Sequence, residues 1–470
     1  MKEAEYESVS RRALKRLIPG KREKEEIFAI TKKLVQELNQ EIKKREIENV
    51  EAKIEGSIAK NTWTSGDRDI DIFILFPKEF SKEDAVSIGL DVAKIPFKDW
   101  EERYAEHPYI RGQIDTYRVD VVPSFRIRNI SEMLTAVDRT PLHTEYVNEH
   151  LAKWQVDEVR LLKGFMKGIG VYGAEIKIGG FSGYLSELLI IKYGVFIEVL
   201  KSCPDWKETG IIDIKRHYED PKTIRKIFSD EFIVVDPVDK ARNVAAALNS
   251  ARLDEFRAAA HAFLKEPTLR FFFPKESVPF TSEEIRSIIE ARRTDILILV
   301  FGTPDIVPDI LWGQLYKSIK AIKQILTKEE FRVTREDVWS DEEKIAAMIF
   351  ELENANLPKV RTHKGPPVGS SDQDIFLGKY SESDTVLSGP WTEGGRWFVD
   401  LKREHFDAKQ FLVEELRMNI GSIGLGKYIR QKIEEGYEIY RNEEIIEICK
   451  KNYEFSKFIA QFYRKTPTWF

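Results

Sequence analysis

Residues 69–76 read DIDIFILF, an apolar run headed by two aspartates one residue apart. Eight residues this rich in Ile and Phe predict a buried strand. In a strand alternate side chains share a face, so Asp69 and Asp71 point one way while Ile70, Ile72 and Ile74 point the other. Two carboxylates on one face repel and raise each other's pKa unless a cation sits between them. A strand that only had to be buried would carry neither. The stretch calls for a sheet with one face on a core and an acidic patch on the other face, near the strand's start.

The surrounding sequence supplies the rest of such a site. Asp120 interrupts a second apolar strand, YRVDVVPSF (117–125), and its flanking Val119 and Val121 put it on the face opposite the core. Asp69, Asp71 and Asp120 are thus candidate metal carboxylates, an oxygen-only set suited to Mg²⁺ or Mn²⁺. Upstream, GSIAKNTW follows the strand NVEAKI (49–54). Gly56 allows close backbone approach, Ser57 can cap a short helix, and Lys60 lies one turn in, so the three suit a triphosphate. These parts together describe a nucleotidyl transferase using two metal ions: one activates an attacking hydroxyl and the other holds the departing pyrophosphate. Asp67 and Asp115 sit in polar turns and read as solvated loop residues.

At 470 residues the chain has room for roughly two to four domains of about 100–200 residues each. Its 74 basic and 79 acidic side chains leave a net charge of −5, so nucleic-acid binding has to come from local clustering. Cys203 and Cys449 lie far apart, with no CxxC spacing and no nearby His, which argues against a disulfide framework or a zinc site and favours a reducing, cytoplasmic setting. Glu187, Lys192 and Glu198 break the most apolar helical stretch, LSELLIIKYGVFIEVL, so no membrane span is expected. Residues 1–48 read as helical, 49–130 as mixed with three strands, and 150–262 as helical, including DKARNVAAALNSARLDEFRAAAHAFL. After Pro267 strands and helices alternate. The stretch RTHKGPPVGSSDQDIF (361–376) reads as a loop.

Motif by motif, the first half resembles a known family. GS followed by DIDIFILFP and VDVVP resembles the polymerase-β-like nucleotidyltransferase superfamily. RYAEHPYIRG (103–112), AVDRTPLHTEYV (136–147), VRLLKGFMKGIGVYGAE (159–175), GGFSGYLSELLI (179–190) and VVDPVDKARNVAAAL (234–248) narrow the resemblance to archaeal-type (class I) CCA-adding enzymes, the tRNA nucleotidyltransferases. The resemblance is dense from about residue 50 to 250 and thin beyond 310.

The resemblance implies an α+β multidomain fold. It comprises a nucleotidyltransferase head with a mixed sheet (1–150), a helical neck (151–265), an α/β body that binds RNA (266–400) and a mainly helical tail that binds tRNA (401–470). It implies untemplated addition of C, C and A to the 3′ end of tRNA from CTP and ATP with release of pyrophosphate, using Mg²⁺. Ser57 and Lys60 would meet the triphosphate; relatives often carry Arg where this chain has Lys60. His143, Lys163 and Tyr172 would contact the incoming nucleotide, and Arg242 would help select its base. Relatives often have a second His after the first, where this chain has Thr144. Without the resemblance, Lys163 reads as a surface lysine one position off the core stripe of Val159, Leu162 and Met166. On the same terms His143 reads as structural, Tyr172 as a core-edge residue and Arg242 as a surface arginine opening a helix.

The expected partners are the acceptor stem and TΨC arm of tRNA, with room for a homodimer. Support from charge is modest: residues 401–470 carry 13 Lys plus Arg against 11 Asp plus Glu. Two alternatives stand beside this reading: a poly(A) polymerase or oligoadenylate-type synthetase with the same catalytic core, and, from another class, a catalytically inactive RNA-binding relative.

Overall fold

Alternation decides how the first sheet packs. In the computed structural model, which describes residues 2–104, 107–206 and 210–470, strand β2 (Asp69–Phe76) buries Ile70, Ile72, Ile74 and Phe76 in one core. Strand β5 (Tyr117–Phe125) adds Val119 and Val121 to it. Helices α2 (Lys21–Lys44) and α4 (Lys82–Ala93) cover this face, α2 with Ile27, Leu34, Leu38 and Ile42 at helical spacing. Helix α1 (Lys2–Leu17) precedes them, separated from α2 by Ile18, Pro19 and Gly20.

The sheet has five strands in the order β1 (Glu51–Glu55), β2, β5, β4 (Pro108–Ile114) and β3 (Trp100–Tyr104). β2 and β5 run parallel and the other pairs antiparallel. Beyond the three strands expected, β3 and β4 extend the sheet; Ala105 and Glu106 of RYAEHPYIRG lie outside the described residues.

The chain divides into two units, one formed by Met1–Glu276 with Thr466–Phe470 and the other by Ser277–Lys465. In the first, helices α5 (Arg139–His150), α6 (Val156–Gly168), α7 (Gly183–Tyr193) and α8 (Phe196–Ser202) follow the sheet. Phe165 of α6 is ringed by Phe196, Phe256, Phe263, Phe271 and Phe272. A phenylalanine so buried contributes about 1.5–3 kcal/mol. Trp469 returns to this core, stacking on Phe271 and donating to Glu255 at 2.6 Å.

The helical expectation for 150–262 needs two corrections. Strands β6 (Ile211–Asp213) and β7 (Ile233–Val235) pair in parallel there. The segment DKARNVAAAL is not helical: α9 (Pro221–Ile227) lies before it and α10 (Ser250–Lys265) starts after it. Asn243 explains the second point. Its amide oxygen accepts from the Val234 and Ala245 N–H groups and its amino group donates to the Phe232 carbonyl, tying the segment to β7 instead of to its own helix.

In the second unit, strands β8 (Asp295–Gly302), β9 (Val333–Ser340), β10 (Ile345–Leu352) and β14 (Tyr437–Arg441) form an antiparallel sheet ordered β14-β8-β10-β9. Residues from 408 to 433 share one core with β8 and β10, and residues from 445 to 463 share another, so this stretch packs onto the α/β sheet. The loop expected at 361–376 is instead strand β11 (Val360–Pro367) leading to helix α11 (Gln373–Tyr380). β11 pairs with β13 (Arg396–Lys402) in a three-stranded sheet completed by β12 (Val386–Glu393). Residues 360–364 are exposed, so the backbone ladder forms this strand without the apolar pattern that would predict it. The expected α+β architecture is borne out. Among the described residues no helix is long and apolar enough to cross a membrane.

Candidate active site

The open face of the first sheet carries the acids. Asp71 and Asp120 are register partners on the parallel pair β2 and β5, and Asp69 lies two residues before Asp71 on the same face. Burial, then the charges of Asp120 and Asp69, push the Asp71 carboxyl up to about 6. Gly56 makes this approach feasible. It begins the helical turn α3 (Gly56–Ala59) directly after β1, at φ +68°, and a Cβ there would lie 2.2 Å from the Asp71 Oδ2 atom.

Two arginines hold the other acids. Arg111 of β4 donates from Nε and Nη2 to the two Asp120 oxygens, at 2.7 Å each, and Arg118 lies 2.7 Å from Asp69. In this conformation no trio of Asp, Glu, His or Cys side chains among the described residues converges on one point. The donor chemistry nonetheless fits a hard divalent cation: three carboxylates share a face, and Asp71, raised first by burial, is raised further by the repulsion of Asp120 and Asp69 that a cation would relieve.

A cavity of about 430 Å³ opens over these acids. Gly56, Ser57 and Lys60 line one side, and Lys163, Tyr172 and Tyr184 line another. Part of its wall is a buried charge cluster. Glu187 of α7, wholly inaccessible, accepts from Lys60 at 2.6 Å, from Thr62 at 2.5 Å and from Lys163 at 3.1 Å. Burial alone would raise the Glu187 carboxyl, but the two lysines and the Thr62 hydroxyl outweigh it and hold it at about 2. Lys163, on α6, is 1% exposed.

Next to this cavity lies a second polar hub. Asp236, fully buried after β7, accepts from His143 at 2.8 Å, from Arg242 at 3.0 Å and from the Tyr184 hydroxyl at 3.2 Å. The His143 and Tyr184 rings stack with centroids 4.0 Å apart. Burial lowers the His143 pKa against the opposing pull of Asp236. Arg242 lines a separate cavity of about 530 Å³ with Arg139 and Asp239. A larger one, about 930 Å³, lies beside β6 and holds none of the predicted site residues.

Comparison with known proteins gives this geometry a family. Residues 32–143 match the family described as nucleotidyltransferase domain, 157–273 the tRNA nucleotidyltransferase second domain, and 292–442 the CCA-adding enzyme C-terminal domain. The CCA-adding enzyme of Methanosarcina barkeri is 38% identical over 453 residues, 96% of each chain. That of Methanothermobacter thermautotrophicus is 38% identical over 454 residues, again 96% of each chain. That of Archaeoglobus fulgidus is 37% identical over 414 residues, 87% of this chain and 90% of the other. The chain belongs to the archaeal-type CCA-adding enzyme family.

Within the family's frame the candidate residues fall into two groups. Gly56, Ser57, Lys60, Asp69, Asp71, Asp120, Lys163 and Tyr172 share one cavity; His143 and Arg242 stand apart from it, joined by Asp236. Arg242 does not open a helix. Its N–H donates to the Asp239 carbonyl and its carbonyl accepts from the Asp236 N–H, a tight turn that keeps the guanidinium beside Asp236. Asp67 is not merely a solvated loop residue: it lines the cavity, accepts from the Thr64 N–H at 2.8 Å and pairs with Lys167. Asp115 is exposed in a turn, as expected.

Sequence reasoning missed Glu187, Asp236, Tyr184, Arg111 and Arg118. Glu187 had a signal: it stands inside the apolar run LSELLII, where a charge needs a buried partner. Arg111 and Arg118 had none, because their partners come from strand pairing.

Proposed function

We propose that this chain adds C, C and A to the 3′ end of tRNA, using CTP and ATP and releasing pyrophosphate. The observation that carries this reading is the shared cavity, in which three strand-borne acids face the Gly56–Lys60 turn and Lys163. Its support from kinship is the family membership along nearly the whole chain.

Asp69, Asp71 and Asp120 would hold Mg²⁺, or Mn²⁺ in its place. When bound, the ions would lower the pKa of the tRNA 3′-hydroxyl and offset charge on the departing pyrophosphate. Lys60 and Lys163 set positive charge against the triphosphate, and Ser57 offers a hydroxyl to it. Tyr172, held beside Gly183 by its bridge to Phe181, shapes the cavity wall. Arg242, anchored on one side by Asp236, presents its remaining donors to the base. Cytosine and adenine both pair an exocyclic amine with a ring nitrogen acceptor. One donor–acceptor arrangement therefore accepts both, and the growing RNA end sets which is used.

The residues matched as nucleotidyltransferase and second domains form the catalytic head and the base-reading neck. The unit from Ser277 to Lys465 holds the tRNA acceptor stem and TΨC arm by phosphate contacts and shape. Exposed Arg361 and Lys364 on β11 suit that task. The test is incubation of the purified protein with labelled CTP and ATP and a tRNA lacking its CCA end. Extension by three nucleotides in the order C, C, A is expected. Long A tails would point to a poly(A) polymerase, and no Mg²⁺-dependent extension would refute the enzyme reading.

A further inference from the structure

Glu187 is the least expected charge in the molecule. It stands in the second turn of α7 among Leu185, Leu188, Leu189 and Ile190, all buried, where a carboxylate is expensive unless charges surround it. Both oxygens are used: Oε2 accepts from Lys60, and Oε1 from Lys163 and Thr62. The Thr62 hydroxyl oxygen in turn accepts from Lys163 at 3.0 Å, closing a ring of three side chains to which Lys60 is joined through Oε2.

Two features separate this cluster from a simple internal tie. Both lysines line the cavity above the acids: Lys60 has one donor on Glu187, while Lys163 has its three donors on Glu187 and on the hydroxyl and carbonyl of Thr62 and contributes its charge. The stoichiometry is two cations to one anion, leaving one positive charge in excess toward that space. We infer that Glu187 is the positioning residue for triphosphate capture, fixing Lys60 and Lys163 in place and setting the net charge they present. The inference rests on the reading of those two lysines as triphosphate contacts. Lysines already ordered by Glu187 lose no further rotamer freedom when a triphosphate arrives, which keeps affinity high with only two contacts.

Charge neutralisation makes the role separable from packing. Glu187→Gln preserves volume and leaves two ammonium groups buried around a neutral amide. Burial and their mutual repulsion then favour loss of a proton from one of them as pH rises. The other ionisable groups around the pair are Asp69 and Asp71 of β2, Arg118 and Asp120 of β5, Glu55 of β1, His143 of α5, Lys167 of α6, Asp67, Tyr172 and Tyr184.

The experiment measures calorimetric binding of Mg²⁺–CTP and of inorganic triphosphate at pH 7.0 and 8.5 for wild type, E187Q, K60M and K163M. Steady-state kinetics on a tRNA ending in CC runs beside it. E187Q should weaken both ligands at least tenfold at pH 8.5 and less at pH 7.0. It should raise KM for CTP and ATP alike and leave KM for tRNA unchanged. Equal affinity in E187Q and wild type at both pH values, with K60M and K163M weakened, overturns the inference. Unchanged affinity in K60M and K163M instead overturns the reading of the lysines. If E187Q does not fold, Thr62→Val, which removes a single neutral donor, carries the test. A loss of about twofold or more in triphosphate affinity is expected, and wild-type affinity in a folded T62V protein refutes the role.

Discussion

Asp71 and Asp120 stand opposite one another on adjacent parallel strands, and the first of them resists ionisation. Its carboxyl titrates near 6, mainly because it is buried and secondarily because Asp120 and Asp69 are close. Metal binding needs the carboxylate. Mn²⁺ affinity, followed by electron paramagnetic resonance, should therefore fall about tenfold per pH unit below about 6. The same shift sets a stability slope in metal-free buffer. An acid whose pKa is raised on folding holds its proton more tightly in the native state. Its ionisation therefore destabilises the fold increasingly as pH rises from about 4 to 6. Relative to Asp71→Asn, wild type should lose up to about 3 kcal/mol across that window and nothing further above it. A flat difference in urea midpoints would refute the shift.

Arg111 competes with any cation for Asp120. Its two hydrogen bonds occupy both carboxylate oxygens, and they are the main reason its own pKa is raised. Arg111→Ala should tighten Mn²⁺ binding about threefold to tenfold, as a bidentate charge partner is removed from a ligand. Weaker binding would mean that Arg111 shapes the site instead of blocking it.

Arg242 and Asp236 make a prediction about fidelity. Arg242→Ala should raise misincorporation of U and G about tenfold to a hundredfold while tRNA affinity stays within about threefold, since a guanidinium–base contact is worth about 1–3 kcal/mol. Asp236→Asn leaves Arg242 in place but unanchored, so the same error spectrum should appear more weakly. Equal losses of selectivity and RNA affinity would remove Arg242 from base selection.

How much of this was legible in the sequence depends on the scale of the signal. The acid patch was readable because strand periodicity is local: Ile70 and Ile72 fix where Asp69 and Asp71 point, and Val119 and Val121 do the same for Asp120. Lys163 was not readable from its helix, since one position off the core stripe predicts solvent, and the layer that buries it arrives with Thr62 and Glu187 from elsewhere. Asn243 hid in a run of alanines that reads as helix, until its amide is seen bonding β7. Strand β11 carries a polar, proline-containing sequence, so only its pairing with β13 reveals it.

That strand carries its own prediction. Arg361 and Lys364 are exposed on β11, on opposite faces of the strand, and on the proposed reading they meet tRNA phosphates. The double variant Arg361→Ala, Lys364→Ala should weaken tRNA binding and reduce the slope of log affinity against log salt by about 1–2. CTP affinity, measured without tRNA, should not change. An unaltered salt slope would place the RNA on another surface.

Glu351 tests the second unit's stability. It is buried on β10, accepts from Arg292 at 2.6 and 3.0 Å and from the Thr294 hydroxyl at 2.6 Å, and lies 3.5 Å from Arg335. Burial would raise its carboxyl, but the Arg292 and Thr294 hydrogen bonds and both arginine charges bring it below the usual range. Removing it strands those arginines, so Glu351→Ala should cost about 3 kcal/mol at pH 7. A carboxyl lowered on folding stabilises above its unfolded pKa and ceases to as pH falls through the folded value. The gap between wild type and variant should accordingly narrow below about pH 4. Urea melts at pH 7 and pH 3.5 measure both quantities, and a gap that stays constant would show that packing, not charge, makes Glu351 matter.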